Sequence, residues 1–533
     1  MTSVRRTLLV VVGGAAAFIA VGVVGRLVAV MSPSTYAAAP KPPPLIKLPP
    51  IGFLAFEVHD ADGAELIPAK LTLVGVDGSP DPRFTRGDIG REEAGAVAAY
   101  NRIFSLAGAG IVVAPIGTYD VYVSRGPEWD LKIVRKLRIE DKKVATVRAE
   151  LRHVIDTPGW ISADFHVHAA PSPDSIVPLR DRIFEFVTDG VEIITATDHN
   201  VITDYGPEIA ELGVGELIGS IVGDEITTND WGHFGAFPLT QRREETGHGA
   251  IHLRGNRPDQ FFGEVRERAP DAVINVHHPR IDNEIGYFTL GHLDSDSDDS
   301  ERPGFSFDFD AIEVLNGYQD PDRRSVDRVI ADWMALLDHG HLVTATGNSD
   351  THHLTHNLGG YPRNYIAVQD DKPARVTPQQ IAAAVKARHV FFTTGPFVSL
   401  RAAGGRIGDV VAVKDGHARV EVKVSAAPWI AVNSATLYVN GAVEKRWTIP
   451  DSTDPVRLSD TLDVTVTRDS YVLVRVDGDR PLAPVVGDTK RFDVRPFALT
   501  NPVFLDVDGH PGFDAPKAHG RHRPIKRWQA RNR

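Results

Sequence analysis

Histidines and carboxylates repeatedly follow short apolar runs in the middle of this chain, and this pattern constrains the fold more than any other feature. The runs are rich in β-branched residues, which is typical of buried strands. Side chains that follow several different strands can meet only where the strand ends lie together, so the pattern predicts one assembled site. The groups are His166-Val-His168, Asp198-His199, Glu225, His233, His277-His278 and Asp350-Thr-His352.

The residue types in these groups are those that bind metal ions. Residues two apart in a strand point to the same face, so His166 and His168 can both reach one ion. The chain has no cysteine, so any metal must be bound by nitrogen and oxygen. That donor set favours Zn, Mn or Fe over Cu(I) or an iron–sulfur cluster. The sequence therefore predicts a divalent metal site and a metal-dependent hydrolase.

The same part of the chain alternates strand-like and helix-like segments. This alternation favours an α/β barrel with parallel strands, whose functional residues gather at the C-terminal strand ends. The predicted strands include Val191–Ala196, Leu217–Val222, Ala272–Val276 and Leu342–Thr346, and the predicted helices are Val177–Asp189, Arg323–His339 and Pro378–Arg388.

Shorter segments with period-two alternation lie on both sides of this region and predict two small β-sandwiches. The first has no cluster of titratable residues, so a structural or accessory role is expected for it. In the second, Asn440-Gly441 is a strong signal for a hairpin turn. The predicted division is 51–155 for the first sandwich, 156–396 for the barrel and 397–512 for the second sandwich.

The two ends of the chain differ in composition from the rest. Arg5-Arg6 precede an uncharged apolar run from Thr7 to Gly25, which predicts an export signal within residues 1–39, either cleaved or retained as a membrane anchor. Residues 40–50 are rich in proline and predict a stiff spacer, and the basic residues 513–533 predict a disordered tail. The folded part is therefore expected outside the cytoplasm, in a periplasm or the extracellular medium.

Several motifs in the barrel region resemble those of the PHP (polymerase and histidinol phosphatase) metallohydrolases. The resemblance covers about residues 155 to 400 and is strongest to the carbaryl-hydrolase-like branch, in which β-rich segments flank the barrel. It implies a distorted TIM-like (β/α)7 barrel of about seven strands and a cluster of two or three divalent metal ions. The motifs are Asp164-Phe-His-Val-His168, Thr197-Asp-His-Asn200, Gly223-Asp-Glu225, Val276-His-His-Pro279, Asp310 to Gly317 and Ser349-Asp-Thr-His352.

The resemblance also implies which residues bind the ions. His278 is preferred to His277 because the family has a His-Pro dipeptide at this point. Asp174 stands six residues after His168, whereas the family more often has an aspartate five residues on. The implied ligands are His166, His168 and Asp350 for a first ion, Glu225 as a bridge to a second ion bound by His233 and His278, and Asp174, His199 and His352 for a third.

Two kinds of hydrolysis fit such a site. Adjacent cations lower the pKa of water toward neutrality and so provide a nucleophile for phosphorus or for a carbonyl carbon. Asp198 is predicted to orient a ligand or to shuttle a proton, and Arg280 and Arg363 are predicted to clamp an anionic substrate. Phosphoester cleavage is the leading prediction, with ester or carbamate hydrolysis as the alternative. A third alternative is a cell-surface binding protein without catalysis.

The charge of the chain limits its partners. The formal net charge is −12 at pH 7. Phosphate-backbone binding needs a basic face, so a nucleic-acid partner is not expected. The expected partner is a small-molecule substrate.

Overall fold

The computed structural model describes residues 50–85, 87–253, 257–281, 285–317, 324–354, 357–487, 493–509 and 513–516. The predicted export signal or anchor, most of the proline-rich spacer and most of the basic tail lie outside these residues. Within the described ranges, no helix is both long enough and apolar enough to cross a membrane.

The N-terminal part consists of nine strands in two sheets that share one apolar core. One sheet has the order β6-β1-β9 and the other β3-β4-β5-β2-β7-β8. In β1 the buried side chains are Leu54, Phe56 and Val58, which is the period-two pattern of a strand with one face on a core. The strands are β1 Ile51–Asp60, β2 Ala69–Gly75, β3 Arg91–Glu93, β4 Ala96–Ala99, β5 Arg102–Ser105, β6 Ala109–Pro115, β7 Gly117–Ser124, β8 Lys132–Ile139 and β9 Val144–Leu151.

The middle part contains all six α-helices of the described residues. The three helices predicted from the sequence are present as α1, α5 and α6, with each end within two residues of its prediction. Thr377 and Gln380 form a capping box that begins α6. The elements are β10 Trp160–Val167, α1 Leu179–Thr188, β11 Ile193–Ala196, α2 Gly206–Leu212, β12 Gly219–Val222, β13 Asp224–Thr227, β14 His233–Phe237, α3 Pro258–Arg268, β15 Val273–Val276, α4 Tyr287–Leu290, β16 Leu293–Asp294, β17 Asp299–Ser300, β18 Ala311–Asn316, α5 Arg324–Asp338, β19 Thr344–Asn348, β20 Arg363–Ala367, α6 Pro378–Lys386 and β21 Val390–Thr393.

The strands of the middle part form two sheets rather than one closed barrel. One contains β12-β11-β10-β20-β21 and the other contains β13-β14-β15-β18-β19. They approach each other where β12 runs through Gly223 into β13, and where an isolated bridge joins Val167 to Thr351. The predicted TIM-like barrel is therefore found only as a mixed α/β region whose sheets are not closed.

The prediction that all of these strands are parallel is wrong. The pairs β13–β14, β14–β15, β10–β20 and β20–β21 are antiparallel. For β13 and β14 the reason is the connection, because residues 228–232 form a short loop and parallel neighbours need a crossover of about a dozen residues or more.

The C-terminal part adds ten strands and shares a sheet with the middle part. One sheet has the order β23-β22-β25-β28, whereas the other continues from β21 through β30, β29 and β26 to β27. The predicted turn at Asn440-Gly441 is confirmed: both residues have positive φ, 49° and 75°, and they join β26 to β27 as a two-residue hairpin. The strands are β22 Phe397–Ala402, β23 Gly405–Arg406, β24 Val410–Ala412, β25 His417–Ser425, β26 Ser434–Val439, β27 Ala442–Thr448, β28 Val456–Thr465, β29 Ser470–Asp477, β30 Phe497–Thr500 and β31 Val503–Asp506.

Candidate metal centre

The structure brings all nine predicted metal ligands into one cluster. They form four overlapping groups, and within each group the ligand atoms lie within 4.8 Å of one another. Because His166, His168, His199 and Glu225 each belong to two groups, the groups are connected. The groups are His168, Asp174, His199 and His352; His166, Glu225 and His278; His166, His168 and Asp350; and His199, Glu225 and His233.

Strand ends account for this convergence. His166 lies in β10, Glu225 lies in β13, and His199 follows β11 by three residues. His278 and Asp350 each follow a strand, β15 and β19, by two residues. Side chains far apart in the sequence thus meet at one end of the two sheets, as expected for a site built on strand termini.

Glu225 is at the centre of the cluster and is fully buried. Its Oε1 atom lies 3.0 Å from Nε2 of His166, 3.4 Å from Nδ1 of His233 and 3.7 Å from Nε2 of His278. Its Oε2 atom lies 2.7 Å from Nδ1 of His199. A carboxylate that contacts imidazoles of several groups is placed to bridge neighbouring cations.

Asp350 joins the two histidines of the β10 pair. Its Oδ1 atom lies 3.1 Å from Nε2 of His166 and 3.2 Å from Nε2 of His168. The backbone of Asp350 has φ of 53°, and that of His278 has φ of 28°. Residues with a side chain seldom adopt this left-handed region, and such strain clusters at functional sites.

Asp174 completes the group nearest to solvent. Its Oδ2 atom lies 3.0 Å from Nε2 of His199 and 3.3 Å from Nε2 of His352. The side chain of Asp174 is 51% exposed, whereas that of Glu225 is 0% exposed. The cluster therefore opens to solvent on the side of Asp174.

Hydrogen bonds at Nδ1 orient the two histidines of β10. Nδ1 of His166 lies 3.0 Å from Oε1 of the buried Glu313, and Nδ1 of His168 lies 3.0 Å from Oγ of Ser172. Each contact leaves Nε2 facing the cluster. Metal-binding histidines characteristically use their second nitrogen in this way, which fixes both tautomer and ring orientation.

The donor set fits divalent cations. Among the described residues, Nε2 of His166, Nε2 of His168, Oε2 of Glu225 and Nδ1 of His233 are buried without a hydrogen-bond partner. Buried polar atoms of this kind destabilise a fold unless another group satisfies them. Cations would satisfy all four, since nitrogen and carboxylate oxygen are ligands of Zn and Mn.

The charges of the cluster point the same way. Although burial raises the pKa of Glu225, His199 and His166 outweigh it and hold that pKa well below its ordinary range. Burial, with His352 nearby, holds the pKa of His168 well below its ordinary range. An ionised carboxylate and a neutral imidazole with a free lone pair are the forms that bind metals.

His277, the neighbour that was passed over for His278, also lies against the cluster. Its Nδ1 atom is 2.8 Å from Oε1 of Glu225, and its ring stacks on that of His166 at 3.6 Å between centroids. Burial lowers the pKa of His277 to about 4. It belongs to none of the four groups, whereas His278 belongs to one.

The contacts of Asp198 do not support its predicted catalytic role. Oδ1 accepts a hydrogen bond of 2.8 Å from the backbone N–H of Ala169, and Oδ2 accepts one of 3.3 Å from the hydroxyl of Tyr205. Burial raises the pKa of Asp198 to about 6. These contacts fasten the segment that follows β10, which is a structural role.

The two predicted substrate arginines are engaged in other contacts. Arg280 donates to both carboxylate oxygens of Asp332, at 2.8 and 3.1 Å, and its side chain is 6% exposed. Arg363 is buried and donates to the carbonyl oxygens of Gly360 and Asp189. Their contacts therefore give no support to a role in binding an anionic substrate.

The sequence reasoning missed the residues that support the ligands from behind. Glu313 accepts from Nδ2 of Asn348 at 2.8 Å as well as contacting His166, and Nδ2 of Asn316 donates to Asp350 at 3.0 Å. All of these support residues are buried. The available signal was an ionisable residue inside β18, a strand that is otherwise apolar up to Asn316.

Comparisons with known proteins find only distant structural likeness. No family model matches the chain, and no curated protein matches it. Among solved structures, endonuclease Q bound to a 27-mer duplex with an abasic lesion aligns over 48% of this chain and 60% of its own, at 15% identity and a TM-score of 0.30. A lesion-specific endonuclease from Pyrococcus furiosus aligns over 43% of this chain and 56% of its own, at 17% identity and a TM-score of 0.30.

A third solved structure is a protein from Bifidobacterium adolescentis that is provisionally assigned as a metal-dependent phosphoesterase. It aligns over 37% of this chain and 92% of its own, at 16% identity and a TM-score of 0.26. At such TM-scores these likenesses settle neither the fold nor the activity of the chain.

Proposed function

We propose that this chain is a metal-dependent hydrolase of the PHP type that cleaves a phosphoester. The observation that carries the proposal is the overlap of the four ligand groups through shared members such as Glu225 and His166. Overlapping groups hold cations side by side. Paired cations suit phosphoester cleavage because the attacking and the leaving oxygen of an in-line displacement are then both stabilised.

The chain's own residues have distinct parts in this proposal. Glu225, Asp350 and the histidines around them hold the ions, while Glu313 keeps His166 oriented. A divalent cation supplies a lowered pKa of water and withdraws charge from a phosphoryl oxygen. Substrate enters beside Asp174, where the ligand cluster is most exposed.

Ester or carbamate hydrolysis is the second candidate. Arg280 and Arg363, the cations predicted for an anionic substrate, are paired with Asp332 and with backbone carbonyls. A substrate without a strong negative charge does not need a cationic side chain in its pocket. The same metal centre would then polarise a carbonyl oxygen.

Metal content and hydrolysis measured on one sample test the proposal. Full-length protein is analysed for bound metal and assayed with p-nitrophenyl phosphate and p-nitrophenyl acetate. Glu225→Ala removes the bridging carboxylate, and Glu267→Gln, an exposed acid on α3, serves as the control. We expect two or more ions per chain and a phosphatase rate that only Glu225→Ala abolishes.

Other results of the same assay would replace the proposal. Bound metal with cleavage of the acetate ester alone establishes the second candidate. Bound metal without hydrolysis of either compound favours a binding protein. Protein without stoichiometric metal contradicts the hydrolase altogether.

We further infer that the folded part acts outside the cytoplasm. The support is the apolar run from Thr7 to Gly25 behind Arg5-Arg6. Fractionation of the producing cells tests this, and sequencing of the mature N-terminus separates a cleaved signal from a retained anchor.

A further inference from the structure

The connection between β2 and β3 in the N-terminal part reaches the rim of the metal centre. At one end the ring of Phe84 is buried in the core of the sandwich. At the other end the N–H of Gly90 donates 2.7 Å to Oδ2 of Asp181 on α1. Asp88, between these two anchors, is itself buried. The connection is therefore fastened on both sides of Asp88.

Asp88 holds the two residues that follow His352. Its Oδ2 atom lies 2.9 Å from Nδ1 of His353, and its Oδ1 atom accepts a hydrogen bond of 3.2 Å from the backbone N–H of Leu354. From the interior, Arg182 donates 3.2 Å to the carbonyl oxygen of His353. The segment that carries His352 is thus fixed from two sides, and one side belongs to the N-terminal part.

The ligand group of Asp174, His199 and His352 is the one that most needs such support. None of these three residues lies inside a strand, and Asp174 is half exposed. Ligands on loops keep their geometry only when other contacts fix the loop, and a loss of about 1 Å of precision is enough to weaken a site.

We infer that Asp88 is a positioning residue for His352, so that the N-terminal sandwich is an integral part of the metal centre. This inference rests on the proposed function. Asp88 acts through the backbone of the 352–354 segment, since the N–H of Leu354 is one of its two partners. The accessory role expected for the sandwich thereby becomes specific: it stabilises the outermost ion.

Variants of Asp88 in the full-length protein test this inference. Asp88→Ala removes both contacts, and Asp88→Asn keeps an oxygen that can accept from Leu354. Asp62→Ala, an exposed acid of the same sandwich, is the matched control. The measurements are bound metal after dialysis, Mn²⁺ affinity by calorimetry, and kcat and KM for p-nitrophenyl phosphate.

We expect Asp88→Ala to bind its weakest ion at least tenfold less tightly while the remaining ions stay bound. Its kcat should fall at least tenfold with a smaller change in KM. Asp88→Asn should recover part of both losses, and Asp62→Ala should match the wild type. Recovery by asparagine separates positioning through Leu354 from a general loss of fold.

The inference is overturned if Asp88→Ala keeps the wild-type metal affinity and kcat. If that variant does not fold, His353→Ala replaces it, because it removes only the side-chain contact; unchanged metal affinity in His353→Ala together with Asp88→Asn then overturns the inference. Failure of the proposed function is distinguishable, since it shows as wild-type protein without bound metal before any variant is compared.

Discussion

Nδ1 of His166 lies 3.0 Å from Oε1 of Glu313, and both side chains are completely buried. The other oxygen of Glu313 accepts hydrogen bonds of 2.8 Å from the backbone N–H of His278 and from Nδ2 of Asn316. One carboxylate therefore fixes a ligand from β10 and the segment of a second ligand after β15. This arrangement makes Glu313 the most consequential residue behind the cluster.

Glu313→Gln should weaken metal binding by about 10- to 100-fold, the usual effect of changing such a supporting partner. The amide can present one oxygen but turns N–H groups toward the donors that the second carboxylate oxygen now satisfies. Competition with a chromophoric chelator measures the affinity. Glu267→Gln is the control, and equal affinities for the two variants would contradict a role for Glu313.

Removing divalent cations should destabilise the protein. Buried acceptors and imidazole nitrogens at Glu225, His166 and His168 lose the only partner proposed for them. An ion present at about 1,000 times its Kd adds about 4 kcal/mol to the free energy of unfolding. Urea unfolding midpoints in chelator and in excess Mn²⁺ measure the difference, which Glu225→Ala should largely remove. Identical midpoints for the wild type would exclude a resident ion.

The sequence was sufficient to find the ligands but not the sheets that hold them. Strand ends and residue types identify His166, Glu225 and Asp350 because metal donors stand out against apolar strands. Strand direction was mispredicted at β13–β14, where a short loop between two apolar runs gives no signal of its own until pairing is known. Arg280 and Arg363 were mispredicted as substrate contacts because a partner distant in sequence cannot be read from spacing.

The buried ion pair between Lys70 and Asp189 should stabilise the contact between the N-terminal and middle parts. Nζ of Lys70 lies 2.7 Å from both oxygens of Asp189, and both side chains are 0% exposed. Lys70→Met leaves a buried carboxylate without its cation, which typically costs about 3–5 kcal/mol. Thermal and urea unfolding measure the loss.

Two further variants show whether burial is the cause of that loss. Lys70→Met combined with Asp189→Asn should be more stable than Lys70→Met alone, because no unpaired charge remains. Lys136→Met breaks a pair with Asp77 whose side chains are both more than half exposed, and it should leave the midpoint unchanged. Equal losses for Lys70→Met and Lys136→Met would contradict the argument.

Glu192 should make the stability of the protein fall as the pH rises from about 4.5 to about 7. Burial and the nearby Glu128 raise the pKa of Glu192 from its ordinary 4.5 to about 7, although Ser162 donates to its Oε2 atom. The folded state therefore holds a proton that the unfolded chain releases, and its stabilising effect, at most about 3 kcal/mol, is lost through this pH range. Urea midpoints between pH 4.5 and 8 should fall less steeply for Glu192→Gln than for the wild type or for Glu150→Gln, an exposed control. Parallel curves for all three proteins would show that Glu192 is ionised in the folded state throughout.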